Sequence, residues 1–249
     1  RDQPRSRGLG DVYKRQGVSR ASVWKAIKTL QKAGYDIEGV TKCGYKLNQN
    51  NKIVSAQDVK SLLKYDLDVS YFESIDSTNT YCKRLLADGK GGEFLVIANN
   101  QTAGRGRQGK SFYSPSETGI YFSLVIRPDT SLQNAVTATT AASVAVCKAI
   151  EKLTDLKPKI KWVNDVYLNG KKVCGILTEA TTDFESGIVD SVIIGIGINI
   201  STTKFPGDVE GAGCLDVDIN RSALIAETVN ELMNIACLLY TSPSPRDRG

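Results

Sequence analysis

A loop rich in glycine and arginine carries the clearest chemical signal in this chain. Residues 101–109 read Gln-Thr-Ala-Gly-Arg-Gly-Arg-Gln-Gly and follow the apolar run Phe94–Ala98, which predicts a strand. Glycine lets a backbone come close to a ligand, and arginine offers a planar set of donors to phosphate or carboxylate. The loop matches neither a Walker A loop nor a dinucleotide-binding fingerprint. It therefore predicts an anion-binding element, with a solvated surface turn as the alternative.

Four other segments place polar residues or glycines where the apolar pattern of a core is interrupted. They are Asp76–Asn79, Lys161–Asp165, Lys171–Gly175 and Gly195–Asn199. Each has a structural alternative, in order a helix cap, a surface bend with a Lys–Asp pair, turn solvation, and a bulge or tight packing. The alternating glycines of the last segment would thin one sheet face, so that a flat ligand could lie against it.

The chain contains no histidine. This excludes a Ser–His or Cys–His nucleophile pair and imidazole metal ligands within these residues. Catalysis would have to depend on lysine, arginine, carboxylates, amides and a metal that arrives with the substrate. The six cysteines have no metal-type spacing, which predicts reduced thiols and a cytoplasmic location.

The net charge of +5 does not by itself indicate a nucleic-acid partner. Residues 1–16 and 238–249 together carry four of these positive charges, so the rest of the chain is close to neutral. No run approaches the roughly 18 apolar residues that a membrane span needs. The first residues also lack the apolar core of a signal peptide. We therefore expect no membrane partner.

Helices and strands that could position these segments alternate from residue 56 to about residue 236. Hydrophobic periodicity predicts helices at 56–63, 79–87, 132–153 and 222–236, and strands at 69–75, 94–98, 119–126, 160–163, 166–168, 173–180 and 190–200. The pair Asn169-Gly170 predicts a type I′ turn between two strands. Hairpin-linked strands beside long helices predict an α/β fold of the α+β type, with a mixed sheet flanked by helices.

Residues 17–48 predict a separate small unit. Val23, Ile27 and Leu30 share one face of a helix whose other face is basic, and a hairpin over 35–47 follows. This order resembles the recognition helix and wing of a winged helix-turn-helix. The candidate DNA-facing residues are Arg20, Ser22, Lys25 and Lys28. The alternative is an amphipathic helix with a solvated basic face.

Taken in order, the chemical segments resemble the motifs of the biotin protein ligase family, in particular its bifunctional ligase and biotin-operon-repressor branch. The motifs are Asp-Ser-Thr-Asn at 76–79, Gln-x-x-Gly-Arg-Gly-Arg-x-Gly at 101–109, Lys-Trp-x-Asn-Asp at 161–165 and Gly-Ile-Gly-Ile-Asn at 195–199. The resemblance covers about residues 17–236. It implies a class II synthetase-like catalytic domain over 53–236, preceded by a partial winged helix-turn-helix over 17–48.

Both ends of the chain differ from the rest. Residues 1–16 and 237–249 resemble translated sequencing-adaptor sequence, so we interpret them as non-native tails, with genuine disordered tails as the alternative. The resemblance also leads us to expect that the first helices of the DNA-binding domain are cut. A small C-terminal β-barrel domain of the family is expected to be missing as well.

The resemblance implies an ATP-dependent, AMP-forming ligase. Such enzymes join biotin and ATP into biotinyl-5′-AMP, release pyrophosphate, and transfer biotin to a lysine of a biotin carboxyl carrier protein. It further implies Mg with the ATP, a homodimer, and operator DNA as a partner of the full-length protein. Two alternatives remain, a lipoate–protein ligase with the same adenylation chemistry and a non-enzymatic biotin-responsive transcription regulator.

Roles for the motif residues also follow from the resemblance. The expected catalytic residues are Arg105, Lys172 and Asp165. The expected biotin contacts are Ser77, Thr78, Asn79, Gln101, Arg105, Gly106, Arg107 and Lys172. The expected ATP and adenylate contacts are Gly104, Arg107, Phe112, Lys161, Asn164, Gly195, Gly197 and Asn199. No metal site made by the protein alone is expected, and Mg would enter with ATP near Asp165 and Asn199.

Overall fold

The computed structural model describes residues 19–32, 35, 37–40, 44–47, 53–127, 132–182, 189–207, 209 and 211–241. The chain divides into two compact units, residues 1–53 and residues 54–249. The predicted tail at 1–16 lies outside the described residues. The same holds for the predicted tail at 237–249 from residue 242 onward. Among the helices that are described, none is long and apolar enough to cross a membrane.

The first unit contains a helix followed by a hairpin, as predicted. Helix α1 spans Arg20–Lys32, and strands β1 (Ile37–Val40) and β2 (Gly44–Leu47) pair antiparallel. The hydroxyl of Ser19 accepts a hydrogen bond from the Ser22 N–H at 3.1 Å and so caps the start of α1.

The second unit is built on a single seven-stranded sheet. Its helices are α2 (Ala56–Leu62), α3 (Thr78–Ala87), α4 (Leu132–Leu153) and α5 (Arg221–Thr241). Its strands are β3 (Asp68–Phe72), β4 (Phe94–Ala98), β5 (Gly119–Ile126), β6 (Lys159–Lys161), β7 (Asp165–Leu168), β8 (Lys171–Thr182) and β9 (Val189–Asn199). The order is β3-β4-β5-β9-β8-β7-β6, in which β3 and β4 are parallel and the other neighbours antiparallel. The predicted mixed sheet flanked by helices is thereby confirmed.

Turn chemistry sets the strand ends around the site. Asn169 and Gly170 have φ values of 50° and 77°, which confirms the predicted type I′ turn between β7 and β8. The strand predicted over 160–163 spans Lys159–Lys161 instead, since residues 162–164 form a turn. At the end of this turn the side-chain amide of Asn164 donates to the carboxylate of Asp165 and to the Ile176 carbonyl. The last helix runs to Thr241, past its predicted end.

The two faces of the sheet are covered differently. Helices α2, α4 and α5 pack with alternate strand residues into the main core, whereas α3 packs on the opposite face through Cys82. Strand β9 shows the division, because Ile194 and Ile196 point into the main core while Ile193 packs with α3. On that same second face the strand continues with Gly195, which opens space beside α3 for a binding site.

Candidate active site

Glycines on β8 and β9 make room for two protein side chains. A Cβ atom at Gly195 would overlap the amide of Asn79, and one at Gly197 would overlap the ring of Phe112. A Cβ atom at Gly175 would lie 2.8 Å from the same ring. These glycines therefore serve the tight packing that was the structural alternative, and they still line the pocket between the two side chains.

The Thr78 pocket and the Tyr113 pocket adjoin on this face. The Thr78 pocket is lined by Ser77, Thr78, Asn79, Gln101, Arg105, Gly106, Arg107, Phe112, Asn164, Lys172, Gly175, Ile176, Leu177, Gly195, Ile196 and Gly197. The Tyr113 pocket is lined by Gly106, Arg107, Gln108, Lys110, Ser111, Phe112, Tyr113, Asn164, Asp165, Lys172, Asn199, Phe205, Val209 and Ala212. The residues common to both, and hence at their boundary, are Gly106, Arg107, Phe112, Asn164 and Lys172.

The expected ligand-site residues gather at these two pockets, with two exceptions among the described residues. Gly104, within the loop itself, is buried, and a Cβ atom there would lie 2.8 Å from the hydroxyl of Ser114. Lys161 lies on β6 with its ammonium 5.0 Å from the centroid of the Tyr167 ring. The structure therefore does not bring Lys161 to the place where the other motif residues meet.

Backbone hydrogen bonds hold the glycine–arginine loop over the pockets. The Gly106 N–H donates to the Lys110 carbonyl at 2.7 Å, which closes the loop on itself. The guanidinium of Arg107 donates to Oδ1 of Asn164 at 2.9 Å and so ties the loop to the β6–β7 turn. Arg105 is 46% exposed and lines the Thr78 pocket. Both arginines thus present their donors at the pockets.

A hydrogen-bonded cluster closes one end of the Thr78 pocket. The Thr78 N–H donates to Oε1 of Gln101 at 2.9 Å, and Nε2 of Gln101 donates to the Ser114 hydroxyl at 2.9 Å. The Ser123 hydroxyl lies 2.7 Å from Oγ1 of Thr78 and 2.6 Å from Oδ1 of Asn79. Buried polar groups are stable when they are paired in this way. The cluster forms a polar end wall in a pocket whose other walls are partly apolar.

Several residues at the site were missed by the sequence reasoning. Ser123 is fully buried, and the only signal that could have found it is that it stands alone as a polar residue in the apolar strand β5. Tyr113 and Phe205 meet edge to face, with ring centroids 6.3 Å apart, at the rim of the Tyr113 pocket. Glu179 contacts Asn79 and Arg105 from β8. No motif marked these last three residues.

An ion pair stands at the boundary of the pockets. Nζ of Lys172 lies 2.7 Å from Oδ1 of Asp165, and the two side chains are 33% and 21% exposed. The Lys172 N–H donates to the Gly211 carbonyl at 2.8 Å, which fixes the start of β8. Lys172 and Arg107 together place two cationic groups where the pockets meet. Such an arrangement stabilises negative charge that develops between two bound ligands.

Burial keeps the cysteines close to the site protonated. Burial raises the pKa of the Cys82 thiol to about 12, and it raises the pKa of Cys174, next to Gly175, well above its ordinary value. A thiolate nucleophile at neutral pH is therefore excluded at these two positions. Among the described residues, no group of three or more cysteines and carboxylates could hold a metal ion.

The basic face of α1 is exposed. Arg20, Ser22, Lys25 and Lys28, the predicted DNA-facing residues, are all exposed. Val23 and Ile27 are partly buried, whereas Leu30, predicted on the same face, is 40% exposed. The helix thus has the predicted amphipathic character over its first two turns, but not at Leu30.

Comparisons with known proteins agree with this geometry. The model of the biotin/lipoate A/B protein ligase family matches residues 71–199, and an HTH domain model matches residues 13–46. The bifunctional ligase/repressor BirA of Bacillus spizizenii is 39% identical over 199 residues, which cover 78% of this chain and 61% of that protein. BirA of Escherichia coli K12 is 31% identical over 221 residues, which cover 87% of this chain and 68% of that protein.

A solved structure extends the likeness to three dimensions. The biotin protein ligase of Aquifex aeolicus, in complex with biotin and ATP, has a TM-score of 0.59 and 27% identity, covering 70% of this chain and 72% of that one. The chain spans 61% of the length of the Bacillus relative. The family match spans every residue that lines the Thr78 pocket and all but Phe205, Val209 and Ala212 of those that line the Tyr113 pocket. The chain therefore belongs to the biotin/lipoate A/B protein ligase family.

Proposed function

We propose that the second unit is the catalytic part of a biotin–protein ligase. It would join biotin and ATP into biotinyl-5′-AMP and then pass biotin to a lysine of a biotin carboxyl carrier protein. One observation carries the proposal, namely that a pocket with a polar end wall meets an aromatic-rimmed pocket at a boundary formed by Lys172 and Arg107. The Aquifex aeolicus relative supplies the ligand, because it is a biotin protein ligase in complex with biotin and ATP.

The Thr78 pocket suits biotin. A ureido ring presents two N–H donors and one carbonyl acceptor, so it needs both kinds of partner at the end of its pocket. Thr78 and Gln101 supply hydroxyl and amide groups there, and the buried Ser123 hydroxyl contacts Thr78 from behind the wall. With its ring at this wall, the valerate chain of biotin would extend toward the boundary, where its carboxylate meets Lys172.

The Tyr113 pocket suits the adenosine triphosphate. Rings of Phe112, Tyr113 and Phe205 border it and offer apolar surface for a purine. Arg107 and Lys172 stand where the α-phosphate would meet the biotin carboxylate. Two anions must approach each other in this step, so positioning and cationic stabilisation are the main contributions required of the protein. The carboxylate oxygen forms a bond to the α-phosphorus, and pyrophosphate leaves.

The second step requires an incoming amine. The ε-amino group of the acceptor lysine attacks the acyl carbon of the adenylate, and AMP leaves with the bonding electrons. Asp165 lines the Tyr113 pocket and pairs with Lys172, so we assign it to orient that amine. The mixed anhydride hydrolyses readily, and we assign the arginine loop to keep water away from it.

Oxygen atoms suited to Mg are present on the ATP side. Oδ1 of Asn199 is buried and has no hydrogen-bond partner among the described residues, and Asn199 lines the Tyr113 pocket together with Asp165. Mg²⁺ prefers oxygen ligands and is usually bound through one or two protein groups plus substrate phosphates. We therefore assign Asn199 and Asp165 to hold the Mg that accompanies ATP, where it would offset phosphate charge.

The partners follow from the same assignment. The exposed basic face of α1, within the HTH match, is proposed to contact operator DNA in the whole protein. We also propose that the biotin carboxyl carrier protein is the partner that receives biotin. The proposed assembly is a homodimer, and the proposed location is the cytoplasm. Sequence-specific binding of operator DNA by the whole protein in a mobility-shift assay, lost on replacing Lys25 and Lys28 by alanine, would support the α1 assignment.

The function is tested by ATP–pyrophosphate exchange. We expect exchange that depends on biotin and is unaffected by lipoate as a competitor. Exchange with lipoate alone would replace the proposal by a lipoate ligase. Tight binding of biotin without exchange would instead favour the biotin-responsive regulator.

Replacing Arg105 by alanine is expected to release biotinyl-AMP about 10- to 100-fold faster, the range for one lost hydrogen bond to a charged group. Arg105 lines the Thr78 pocket from the loop that covers it, so its loss removes a donor from the bound adenylate. Retention of labelled adenylate on a filter measures the effect. Arg127→Ala is the control, because Arg127 pairs with Asp190 away from both pockets. Unchanged retention in Arg105→Ala would remove the assigned role.

A further inference from the structure

Glu179 is an acidic residue on the site face of the sheet that the proposed chemistry does not use. It stands on β8 opposite Ile193, on the side covered by α3, and its side chain is only 18% exposed. Burying a charged group is unfavourable unless partners compensate for the lost water. Three groups do so, with Nζ of Lys83 at 2.7 Å, Nδ2 of Asn79 at 3.0 Å and Nη2 of Arg105 at 3.4 Å.

These partners keep the carboxyl ionised at neutral pH. Burial by itself would raise the pKa of Glu179, but hydrogen bonds from Lys83 and Asn79 and the charges of Lys83 and Arg105 hold that pKa below its ordinary value. An ionised carboxylate can only accept hydrogen bonds. Whatever side chain faces it must therefore donate.

The carboxylate sets the orientation of the Asn79 amide. Nδ2 of Asn79 faces two acceptors, the Glu179 carboxylate and the Leu177 carbonyl at 3.3 Å. Rotating the amide by half a turn would place its oxygen against both acceptors, which would be repulsive. Oδ1 of Asn79 is thus directed at the Ser123 hydroxyl, 2.6 Å away.

This orientation determines what Thr78 can offer a ligand. Ser123 has a single hydroxyl hydrogen and lies near two acceptors, Oδ1 of Asn79 at 2.6 Å and Oγ1 of Thr78 at 2.7 Å. Oγ1 of Thr78 donates its own hydrogen to Oε1 of Gln101 at 3.1 Å, so toward Ser123 and a ligand it can only accept. While Asn79 presents its oxygen, it draws the Ser123 hydrogen and leaves both lone pairs of the Thr78 oxygen open to a ligand. If the amide turned, its NH₂ group would donate to Ser123, and Ser123 would give its hydrogen to one of those two lone pairs.

We propose that Glu179 is a positioning residue that keeps the end wall of the Thr78 pocket an acceptor for a ligand N–H. It acts through Asn79 and Ser123, and it holds Arg105 beside the same pocket. The inference rests on the proposed function, since a ureido N–H of biotin is the donor that Thr78 would receive. Lipoate has no such N–H donor, so the same device would favour biotin over lipoate.

The test is a double-mutant cycle on biotin affinity, measured by calorimetry. Glu179→Gln keeps the shape of the side chain, removes its charge and allows it to donate, so the amide of Asn79 can turn. We expect biotin affinity to fall about tenfold, which is toward the upper end for one hydrogen bond between two neutral groups. Thr78→Val should lower the affinity of the wild type by a similar factor, yet change Glu179→Gln by less than about threefold, because the Ser123 hydrogen already occupies the Thr78 oxygen in that variant.

Two further variants separate this role from a general electrostatic or structural one. Lys83→Gln removes a charge from Glu179 but leaves its contacts to Asn79 and Arg105, so biotin affinity should stay within about twofold. Glu179→Asp retains an ionised acceptor and is expected to recover at least part of the affinity lost in Glu179→Gln. Thermal unfolding of each variant establishes that it is folded.

The outcomes distinguish this inference from the proposed function. Failure of the wild-type chain to bind biotin would overturn both. If the wild type binds biotin and folded Glu179→Gln binds it within twofold, Glu179 has no positioning role and the proposed function stands. Fully additive effects of Glu179→Gln and Thr78→Val would likewise refute the connection through Asn79 and Ser123.

Discussion

Replacing Lys172 by glutamine should lower biotin-dependent ATP–pyrophosphate exchange by about 100-fold or more, which is the usual consequence of removing one preorganised group that stabilises developing charge. Lys172 stands at the boundary where the biotin carboxylate and the α-phosphate would meet. Its loss also leaves the carboxylate of Asp165, now 2.7 Å from the ammonium, without its cation. That unpaired negative charge would repel both anions, so two effects act in the same direction.

The neighbouring lysine provides a matched control. Lys171 is exposed, its stem packs beside Gly213, and it lines neither the Thr78 pocket nor the Tyr113 pocket. Lys171→Gln removes the same charge one residue away and should retain exchange within about twofold of the wild-type rate. If Lys172→Gln kept more than a tenth of the wild-type rate, the ammonium would not be stabilising the reacting anions.

The second large effect is expected from Gly195→Ala. The added methyl group would overlap the buried amide of Asn79. Asn79 cannot move away easily, because α3 is packed on the sheet through the buried Cys82. Forcing an extra methyl group into a well-packed site typically costs about 1–3 kcal/mol of unfolding free energy. Displacing Asn79 would also disturb the end wall of the Thr78 pocket, so biotin binding should be lost in the folded fraction.

Urea unfolding and calorimetric titration with biotin measure the two consequences separately. Gly207→Ala is the control, since a Cβ atom there would meet no described atom within 4 Å. Its unfolding free energy should stay within about 0.5 kcal/mol of the wild type, as for most surface substitutions. If Gly195→Ala unfolded at the same urea concentration as the wild type and bound biotin equally well, α3 would have adapted to the added methyl group. The contact of α3 with β9 would then not shape the pocket.

Local rules made much of the fold predictable. The pair Asn169-Gly170 specifies a type I′ turn, because only residues that tolerate positive φ fit both of its central positions. Strand β9 alternates isoleucine and glycine, so its two faces could be assigned from the period of a strand alone. The start of α3 could be placed near Asp76–Asn79, because Ser77 is a good N-cap and accepts a hydrogen bond from the Thr80 N–H.

Other features depended on contacts between residues far apart in the chain. The Lys-Trp-x-Asn-Asp motif led us to expect Lys161 at the ATP site. In the structure β6 ends at Lys161, the chain then turns, and the Lys161 side chain lies over the ring of Tyr167. Alternating glycines predicted a bare sheet face, yet Phe112 covers Gly197 because the loop folds back over β9. Strand period cannot show which side chain from another element will occupy the space that a glycine leaves.

The sequence by itself determined the elements, the family resemblance and the types of residue at the site, since helix caps, turns and periodicity act over a few residues and the motifs are contiguous. Only the tertiary structure decided how those residues are paired. Asn79, Ser123 and Glu179 lie on α3, β5 and β8, and their hydrogen bonds exist because the sheet order places β9 between the last two strands. Hydrogen bonds act over about 3 Å, so the donor and acceptor pattern of the pocket depends on how the chain folds back on itself.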